Sequence, residues 1–306
     1  MNSKSDIAKS FFNAKTDNIE IANLCVLGLP WDASSSYRKG AHNAPTHIRE
    51  ATTGELYNPI PETGINIVDT WRIYDCGNVD IYAKTATEAR EEVYESLKRV
   101  FRPSRRFLFL GGDHLATYFS FYSLMKLSGK NTGIIYLDAH PDLYDEYEGN
   151  KYSHACVLRR IIDETKINPE NIIQVGIRAP TPAQSDYAEK IGIKILSTKE
   201  FQANGAVQTA KIVRNYLSDN LDDVYLSIDL DVLDPAYVPG IGNPQPGGLS
   251  TRAIIDFIHA LQGIKLIAAD VVELCPVYDH AGISAFAAAK LIQETLGIMA
   301  PAKFNP

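Results

Sequence analysis

The sequence predicts an α/β protein, a three-layer α/β/α sandwich around a mainly parallel sheet of about eight strands. Short apolar runs rich in β-branched residues recur along the 306-residue chain, as expected for buried parallel strands. Segments with apolar residues at helical spacing separate these runs, so strand and helix alternate. We identify no linker and expect a single domain over residues 1–306. A (β/α)₈ barrel is the alternative architecture.

The elements follow in chain order. Strands are predicted at residues 24–27, 107–110, 134–137, 172–175, 193–196, 224–228 and 266–272. Helices are predicted at residues 85–100, 114–127, 154–165, 207–217, 250–261 and 284–299. Thr85 and Glu88 form the pattern of a capping box, and Ser250 suits an N-cap, so two of the helix starts have a local cause.

Composition narrows the range of functions. The net charge of −7 and the pI near 5.5 argue against nucleic-acid binding, because phosphate contacts need a concentrated basic face. No apolar run approaches the roughly 20 residues that cross a bilayer, and the N-terminal segment lacks the apolar core of a signal peptide. The four cysteines are scattered, which favours reduced thiols. We expect a soluble cytoplasmic protein with no nucleic-acid or membrane partner.

Two of the predicted strands end in alternating acidic residues. One leads into Asp138, His140 and Asp142, and a later one leads into Asp229 and Asp231. Side chains at alternate positions of an extended segment point the same way. Four carboxylates and an imidazole would therefore converge, and carboxylates so close together repel one another unless cations bind. One such cluster could be an ordinary loop, but two at the ends of buried strands predict a metal centre.

A third strand leads to a histidine. Gly111 and Gly112 permit a tight turn and a close backbone approach, and His114 begins the next helix. Ligand sites of α/β folds lie at the carboxyl ends of the strands, which places His114 at the same edge as the acidic clusters. We predict His114 as a sixth metal ligand. Asp113 suits either a helix cap or a hydrogen bond to a ligand.

The predicted ligand set indicates both the ion and the chemistry. Its members are His114, Asp138, His140, Asp142, Asp229 and Asp231. Many oxygens, two imidazoles and no thiolate suit Mn²⁺, with Fe²⁺, Co²⁺, Ni²⁺ and Zn²⁺ as alternatives. Six ligands can hold two ions with a water between them, and such a water is a hydroxide near neutral pH. The sequence therefore predicts hydrolysis with two Mn²⁺ per chain.

Three of these segments resemble the signatures of the ureohydrolase family, which includes arginase and agmatinase. They are Gly-Gly-Asp-His at 111–114, Asp-Ala-His-Pro-Asp at 138–142 and Ser-Ile-Asp-Leu-Asp-Val-Leu-Asp-Pro-Ala at 227–236. Matches at 28–30, 176–178, 247–249 and 270–273 extend the resemblance over nearly the whole chain. It implies a trimeric or hexameric manganese enzyme that hydrolyses a guanidino group to urea and an amine.

The resemblance also implies a role for each ligand. The residues at the bridging positions, which contact both ions, are Asp138 and Asp229. The ligands of one ion are His114 and Asp142, and those of the other are His140 and Asp231.

Catalytic roles follow from the same resemblance. Glu273 matches the carboxylate that pairs with the substrate guanidinium, whose planar fork of N–H donors suits a carboxylate. His154 matches a histidine that shuttles protons to the leaving amine, because a guanidine nitrogen leaves poorly unless protonated. His154, Glu273 and Asp142 are thus the predicted catalytic residues, and Glu273 and His154 also contact the substrate. The chain departs from the family pattern at Ala155, Asn243 and Gln245, where Gly, Thr and Glu are common.

The segment at 144–148, Tyr-Asp-Glu-Tyr-Glu, is informative about the substrate. Its acids would attract a cationic tail and repel a carboxylate, and Asp145 and Glu146 are the predicted substrate-binding residues there. Agmatine is a small cationic guanidino compound with such a tail, so the predicted reaction is agmatine and water to putrescine and urea. Arg38 and Lys39 would weaken this prediction if their loop reached the cleft.

Other functions stay open at this stage. The same chemistry would hydrolyse guanidinobutyrate, guanidine, formiminoglutamate or arginine. A metal-dependent deacetylase shares a related architecture and an Asp-x-His motif but uses one zinc ion. A non-catalytic relative could bind polyamines. Two ions per chain would favour a ureohydrolase over a deacetylase.

Overall fold

The computed structural model describes residues 11–53, 58–217 and 220–300. Within these ranges the strands are β1 (Leu24–Leu29), β2 (Ile73–Asn78), β3 (Arg106–Gly111), β4 (Thr132–Leu137), β5 (Ile172–Ile177), β6 (Lys194–Ser197), β7 (Asp223–Asp229) and β8 (Leu266–Val272). They pair in parallel in the order β2-β1-β3-β8-β7-β4-β5-β6. Because β2 and β6 are edges, the sheet is open, and the barrel alternative is wrong. The predicted α/β/α sandwich is confirmed.

Strand β2 is absent from the prediction because its sequence lacks an apolar run. Asp75, Gly77 and Asn78 interrupt it, and as an edge strand it is only partly buried. Asp75 pairs with the Arg49 guanidinium at 2.8 Å, so a polar contact takes the place of apolar packing.

The helices cover both faces of the sheet. They span Ala44–Ala51, Ile67–Thr70, Ala86–Val100, Leu115–Ser128, Val157–Thr165, Pro182–Ile191, Thr198–Tyr216, Thr251–Ala260 and Ile283–Met299. The first two and Pro182–Ile191 are not predicted from the sequence. The helix predicted from 207 begins at Thr198, because Ser197 and Glu200 form a capping box. Gly205 kinks this helix with φ 76° and ψ 165°, which hides its continuity in the sequence.

Alternation along the strands produces two apolar layers. Leu24 and Val26 of β1 pack on one face with the helices around Ile48, Val213 and Leu291. Cys25 and Leu27 point to the other face, among the helices at 86–100, 115–128 and 157–165. Burial of each large apolar side chain contributes about 2 kcal/mol. No helix in the described ranges is long and apolar enough to cross a bilayer.

The register brings the ends of the central strands to one level. Leu137 of β4 pairs with Ile228 of β7, and Ile228 pairs with Val271 of β8. Val271 in turn pairs with Leu110 of β3. Four adjacent strands therefore end side by side, and each is followed by residues that the sequence singles out.

A buried carboxylate on the last helix makes stability depend on pH. Glu294 is fully buried and contacts the Lys290 ammonium, His259 Nε2 at 2.7 Å and the Glu62 N–H at 3.1 Å. Burial raises the pKa of Glu294, but its bonds to Lys290 and His259 outweigh burial and lower it below the usual value. A carboxyl with a lowered folded pKa stabilises the fold above its unfolded pKa and loses that contribution on acidification.

We expect Glu294→Gln to lower the free energy of unfolding by about 2 kcal/mol at pH 7, because hydrogen bonds to a charged group are lost. The difference from the wild type should shrink below about pH 4, as Glu294 of the wild type becomes protonated. Urea titrations at pH 7, 5 and 3.5 would measure this difference in the free energy of unfolding. The control is Glu95→Gln, because Glu95 is exposed and pairs with Lys98. A difference that is constant over this range would contradict the role of the charge.

Candidate metal centre and active site

The turn after β3 shows why two glycines precede His114. A β-carbon on Gly112 would lie 1.8 Å from the Trp31 carbonyl oxygen, so no other residue fits there. The Asp113 N–H donates to the same oxygen at 2.7 Å. The backbone at Gly112 and Asp113 therefore packs directly on that of Trp31. The Leu115–Ser128 helix begins next to this contact, at the edge of the sheet, and His114 is directed into the site.

One group of candidate ligands surrounds the His114 imidazole. Its Nδ1 lies 2.9 Å from Oδ2 of Asp229 and 3.0 Å from Oδ2 of Asp138. Oδ2 of Asp142 is 3.3 Å from the same nitrogen. The Tyr136 hydroxyl donates a hydrogen bond to this Asp142 oxygen at 2.8 Å. The Tyr136 ring stacks on the imidazole at 4.4 Å between centroids. Three carboxylates thus converge on one histidine nitrogen.

A second group shares Asp138 with the first. His140 Nδ1 lies 2.8 Å from Oδ2 of Asp231 and 3.6 Å from Oδ1 of Asp138. The candidate ligand atoms of Asp138, His140 and Asp231 all lie within 4.8 Å of one another, as do those of His114, Asp138 and Asp229. The structure therefore brings together all six residues that the sequence predicts as ligands.

Main-chain N–H groups fix the carboxylates. Oδ1 of Asp138 accepts from the His140 N–H at 2.5 Å, and Oδ1 of Asp229 accepts from the Asp231 N–H at 2.7 Å. Oδ1 of Asp231 accepts from the Ala139 N–H at 2.9 Å. In each of the three aspartates one oxygen is held by the backbone while the other faces the cluster. These bonds orient the site in place of the extended backbone that the sequence predicts, since the chain bends at residues 139–140 and Asp231 lies in a 3₁₀ turn, Leu230–Val232.

The electrostatics show that the cluster lacks positive charge. Burial, together with the charge of Asp231, raises the pKa of Asp138 to about 7. Burial and neighbouring carboxylates also hold the pKa of Asp229 well above its usual range. Burial disfavours charged histidines, but the carboxylates outweigh it and raise the pKa of His140 to about 12 and that of His114 well above its ordinary value. Cations at this position would let the carboxylates ionise without taking up protons.

One buried atom makes the same point from geometry. Oδ2 of Asp138 lies 3.0 Å from His114 Nδ1 but accepts no well-directed hydrogen bond from the residues that the structure describes. An unpaired buried carboxylate oxygen is costly, and a bound cation would satisfy it. With four carboxylates and two imidazoles, the residues fit a pair of divalent ions.

The far nitrogen of His114 is held by a buried network. Nε2 lies 3.0 Å from the Ser227 hydroxyl, which donates to Asp270 at 2.8 Å. Asp270 also accepts from Thr117 at 2.8 Å and from Tyr225 at 2.6 Å. A hydrogen-bonded far nitrogen orients an imidazole whose other nitrogen faces a metal. Ser227 and Asp270 both lie within motifs noted in the sequence, at 227–236 and 270–273, but neither has a predicted role, because no local pattern marks a contact with His114.

His154 and Glu273 face each other beside the cluster. His154 Nδ1 lies 2.9 Å from Oε1 of Glu273, and the same oxygen accepts from the His114 N–H at 2.9 Å. Glu273 has φ 64° and Asp142 has φ 51°, a region that residues other than glycine seldom occupy. Such strain is often retained at functional sites, where it places a side chain that a relaxed backbone would not.

A cavity opens beside these residues. Its lining includes the buried Asp229, Asp231 and Glu273 and the partly exposed Tyr144 and Tyr147. The Tyr144 and Tyr147 ring centroids are 5.4 Å apart.

A tight turn presents these rings. Tyr147 and Asn150 exchange two backbone hydrogen bonds across Glu148 and Gly149, both with positive φ.

The structure does not place Asp145 and Glu146 in this cavity, in contrast to the sequence prediction. Both are exposed, and Asp145 pairs instead with Arg160 at 3.0 Å. The prediction failed because acidic residues in a loop do not reveal which way they point.

The loop of Arg38 and Lys39 does reach the cavity, but through Ser36. The guanidinium of Arg38 lies 4.8 Å from the Tyr278 ring centroid and does not line the cavity. Ser36 and Asn243 both line it and contact His154 Nε2, at 2.8 and 3.4 Å. Ser36 is missed from the sequence, although the run Ser34-Ser35-Ser36 is a signal. Asn243 is noted there only as a departure from a pattern.

Comparisons with known proteins agree with this chemistry. The Arginase family model matches residues 22–297. Proclavaminate amidinohydrolase of Streptomyces clavuligerus is 32% identical over 276 residues, covering 90% of this chain and 87% of that protein. Agmatinase of Bacillus cereus is 31% identical over 282 residues, covering 91% of this chain and 92% of the relative. Formimidoylglutamase from Bacillus subtilis, a solved structure, aligns with a TM-score of 0.88 at 26% identity, covering 99% of this chain and 95% of that one.

The fold, the site and these similarities agree, and the chain belongs to the arginase family. It is an amidinohydrolase, an enzyme that acts on guanidino or related amidino groups. The family depends on a binuclear metal centre, and this chain has groups that could bind metal at the expected edge of the sheet.

Proposed function

We propose that the protein hydrolyses agmatine to putrescine and urea. The observation that carries this proposal is the lining of the cavity. Among the described residues no lysine or arginine lines it, whereas the rings of Tyr144 and Tyr147 do. Tyrosine faces attract a cation, and a carboxylate tail would have no charged partner there. This argument replaces the one based on Asp145 and Glu146.

We assign the six-residue cluster to two Mn²⁺ ions. One ion would be held by His114 and Asp142, the other by His140 and Asp231, with Asp138 and Asp229 shared. The close approach of these groups and the unpaired Asp138 Oδ2 support this assignment. When bound, the ions supply a water of lowered pKa for attack on the guanidinium carbon.

The protein side chains around that carbon have separate tasks. Oε1 of Glu273 is held by two N–H donors, which leaves Oε2 for the substrate guanidinium. A β-carbon on Gly242 would lie 2.9 Å from Oε2, so glycine keeps this approach open. His154 would take up at Nε2 a proton that the attacking water gives up and pass it to the leaving amine, which must leave protonated. Burial of both side chains excludes water from the proton transfer, since His154 is 7% and Glu273 3% exposed.

We further propose that residues 1–306 form one domain that assembles as a homo-trimer or homo-hexamer in the cytoplasm. A single sheet with one family match from 22 to 297 supports the domain. Reduced cysteines support the compartment. The assembly is inferred from the family resemblance of the motifs.

The proposed function is tested by offering the manganese-loaded protein agmatine, arginine, 4-guanidinobutyrate, guanidine and formiminoglutamate, and measuring the release of urea or formamide. We expect the highest kcat/KM with agmatine. A higher value with a carboxylate-tailed substrate would overturn the proposal of agmatine while retaining the amidinohydrolase chemistry.

The tyrosine pair provides a sharper test. We expect replacement of Tyr144 and Tyr147 together by leucine to raise the KM for agmatine about 5- to 30-fold, because two cation–π contacts contribute about 1 to 2 kcal/mol. The matched control is Asp145→Asn with Glu146→Gln, which should leave this KM within about twofold, since exposed charges outside the cavity contribute little. If the Asp145→Asn, Glu146→Gln variant raises the KM for agmatine and the double leucine variant does not, the argument based on Asp145 and Glu146 would be restored.

A further inference from the structure

The loop after β1 lies over the candidate proton shuttle. Main-chain N–H and hydroxyl of Ser36 both approach Nε2 of His154, at 3.1 and 2.8 Å. Ser34 and Ser35 hold the same loop in place independently, because their hydroxyls donate to Asp113 at 2.7 and 3.2 Å. Ser36 is therefore not needed to anchor the loop, and its contact with His154 calls for another explanation.

The hydrogen-bond directions around His154 follow from one fixed donor. A main-chain N–H can only donate, so the Ser36 N–H requires a lone pair on Nε2. The ring proton then belongs on Nδ1, where it is donated to Oε1 of Glu273 at 2.9 Å. Glu273 in turn accepts the His114 N–H through that same oxygen, which fits an ionised carboxylate.

Asn243 orients the serine hydroxyl. Its Nδ2 lies 3.3 Å from Oγ of Ser36 and 3.4 Å from Nε2 of His154. When the amide donates to Oγ, the hydroxyl proton of Ser36 is directed to Nε2. An amide has two donors and can reach both atoms, whereas a threonine, common at this position in the family pattern, has a single hydroxyl proton. Asn243, which departs from the family pattern, can thus orient the Ser36 hydroxyl in a way that threonine could not.

The surrounding charges oppose this arrangement. Burial disfavours the imidazolium, but the carboxylates of Glu273, Asp113 and Asp142 outweigh it and raise the pKa of His154 to about 9. No arginine or lysine among the described residues lines the cavity to counter them. If Nε2 were protonated, however, it would be a hydrogen-bond donor directed at two other donors, the N–H and the hydroxyl of Ser36. Full protonation of the ring therefore requires Ser36 to withdraw.

We propose that Ser36, oriented by Asn243, is a positioning residue that opposes protonation of His154 and holds the neutral ring as the tautomer with its proton on Nδ1. In that tautomer Nε2 is an acceptor, and it takes up a proton given up by the attacking water, which the leaving amine later receives. The proposal rests on the shuttle role given to His154 under the proposed function. It adds a residue that selects the protonation state of that shuttle.

The test combines ring ¹⁵N NMR of histidine-labelled, manganese-free protein with kcat of the manganese-loaded enzyme on agmatine. In the pH range where wild-type His154 is neutral, we expect an unprotonated Nε2 and a protonated Nδ1. In Ser36→Ala the midpoint of His154 protonation should move up by about one pH unit, and kcat should fall about tenfold at neutral pH, because one hydrogen bond that favours the neutral ring is lost. Asn243→Ala should likewise raise the midpoint of His154 protonation and lower kcat.

Two further variants separate positioning from packing. Ser36→Thr retains the hydroxyl and should restore the tautomer signature and most of kcat. Ser35→Ala removes a neighbouring hydroxyl that contacts Asp113 only, and should leave the His154 resonances and kcat unchanged.

The two proposals fail in distinguishable ways. A neutral wild-type ring with its proton on Nε2, or unchanged His154 resonances in Ser36→Ala, would overturn the inference about Ser36, whatever the substrate. The expected resonances together with no turnover of any guanidino compound would overturn the proposed function and the catalytic part of the inference, and leave the tautomer assignment standing.

Discussion

Asp138→Ala is expected to abolish binding of both metal ions and to lower kcat/KM by at least about 10³-fold, because metal ions supply several kcal/mol of transition-state stabilisation. Asp138 is the residue that the two groups of candidate ligands share. Metal content would be measured by atomic emission after dialysis, and kcat/KM would be measured from the release of urea. A variant that retains one ion per chain would show that Asp138 does not bridge.

The stability of the same variant provides an independent readout. Metal-free wild-type protein packs four carboxylates together, and removal of one relieves part of their repulsion. We therefore expect metal-free Asp138→Ala to melt no lower than the metal-free wild type, while added Mn²⁺ raises the Tm of the wild type only. Asp256→Asn, which changes an exposed partner of Arg252, is the control and should retain both ions. A variant that is simply misfolded would instead melt lower without metal.

His154→Ala is expected to retain the metals and lose about 10²- to 10⁴-fold in kcat, the usual contribution of general acid–base catalysis. His154 bonds to Glu273, Ser36 and Asn243, none of which is a candidate ligand, so the ions should stay in place. Metal analysis and steady-state kinetics on agmatine would separate the two effects.

The control for this prediction is His47→Ala. His47 is about half exposed and pairs with Glu50 at 3.3 Å, far along the chain from every candidate ligand. Its replacement should change kcat by less than about twofold, since exposed pairs contribute little. Full activity of His154→Ala would exclude the shuttle role, and loss of metal in that variant would show that the imidazole supports the cluster instead.

Much of the fold was determined by local sequence. The buried strands were predictable because parallel strands covered on both faces need continuous apolar runs. The capping box at Thr85 and the N-cap Ser250 located two helix starts, since each cap side chain accepts from a backbone N–H three residues further on. The edge strand β2 and the Gly205 kink were missed, because an edge strand needs no apolar run and a single glycine does not by itself mark a kink.

The sequence by itself determined which residues gather at the candidate metal centre. A strand of apolar residues before each cluster places it at the carboxyl edge of the sheet, although a bend at residues 139–140 and the positive φ of Asp142 replace the extended backbone that the alternate spacing predicts. These are properties of a few neighbouring residues, so no knowledge of distant segments is required.

Only the tertiary structure decided what surrounds that centre. The direction of Asp145 depends on Arg160, and the environment of His154 depends on Ser36 and Asn243, which lie 118 and 89 residues away in the chain. Such contacts have no local period in the sequence, because the packing of separate loops on a finished sheet creates them. The candidate ligands were readable from the sequence, whereas the residues on which the proposed substrate and the proposed proton shuttle depend became visible only in the fold.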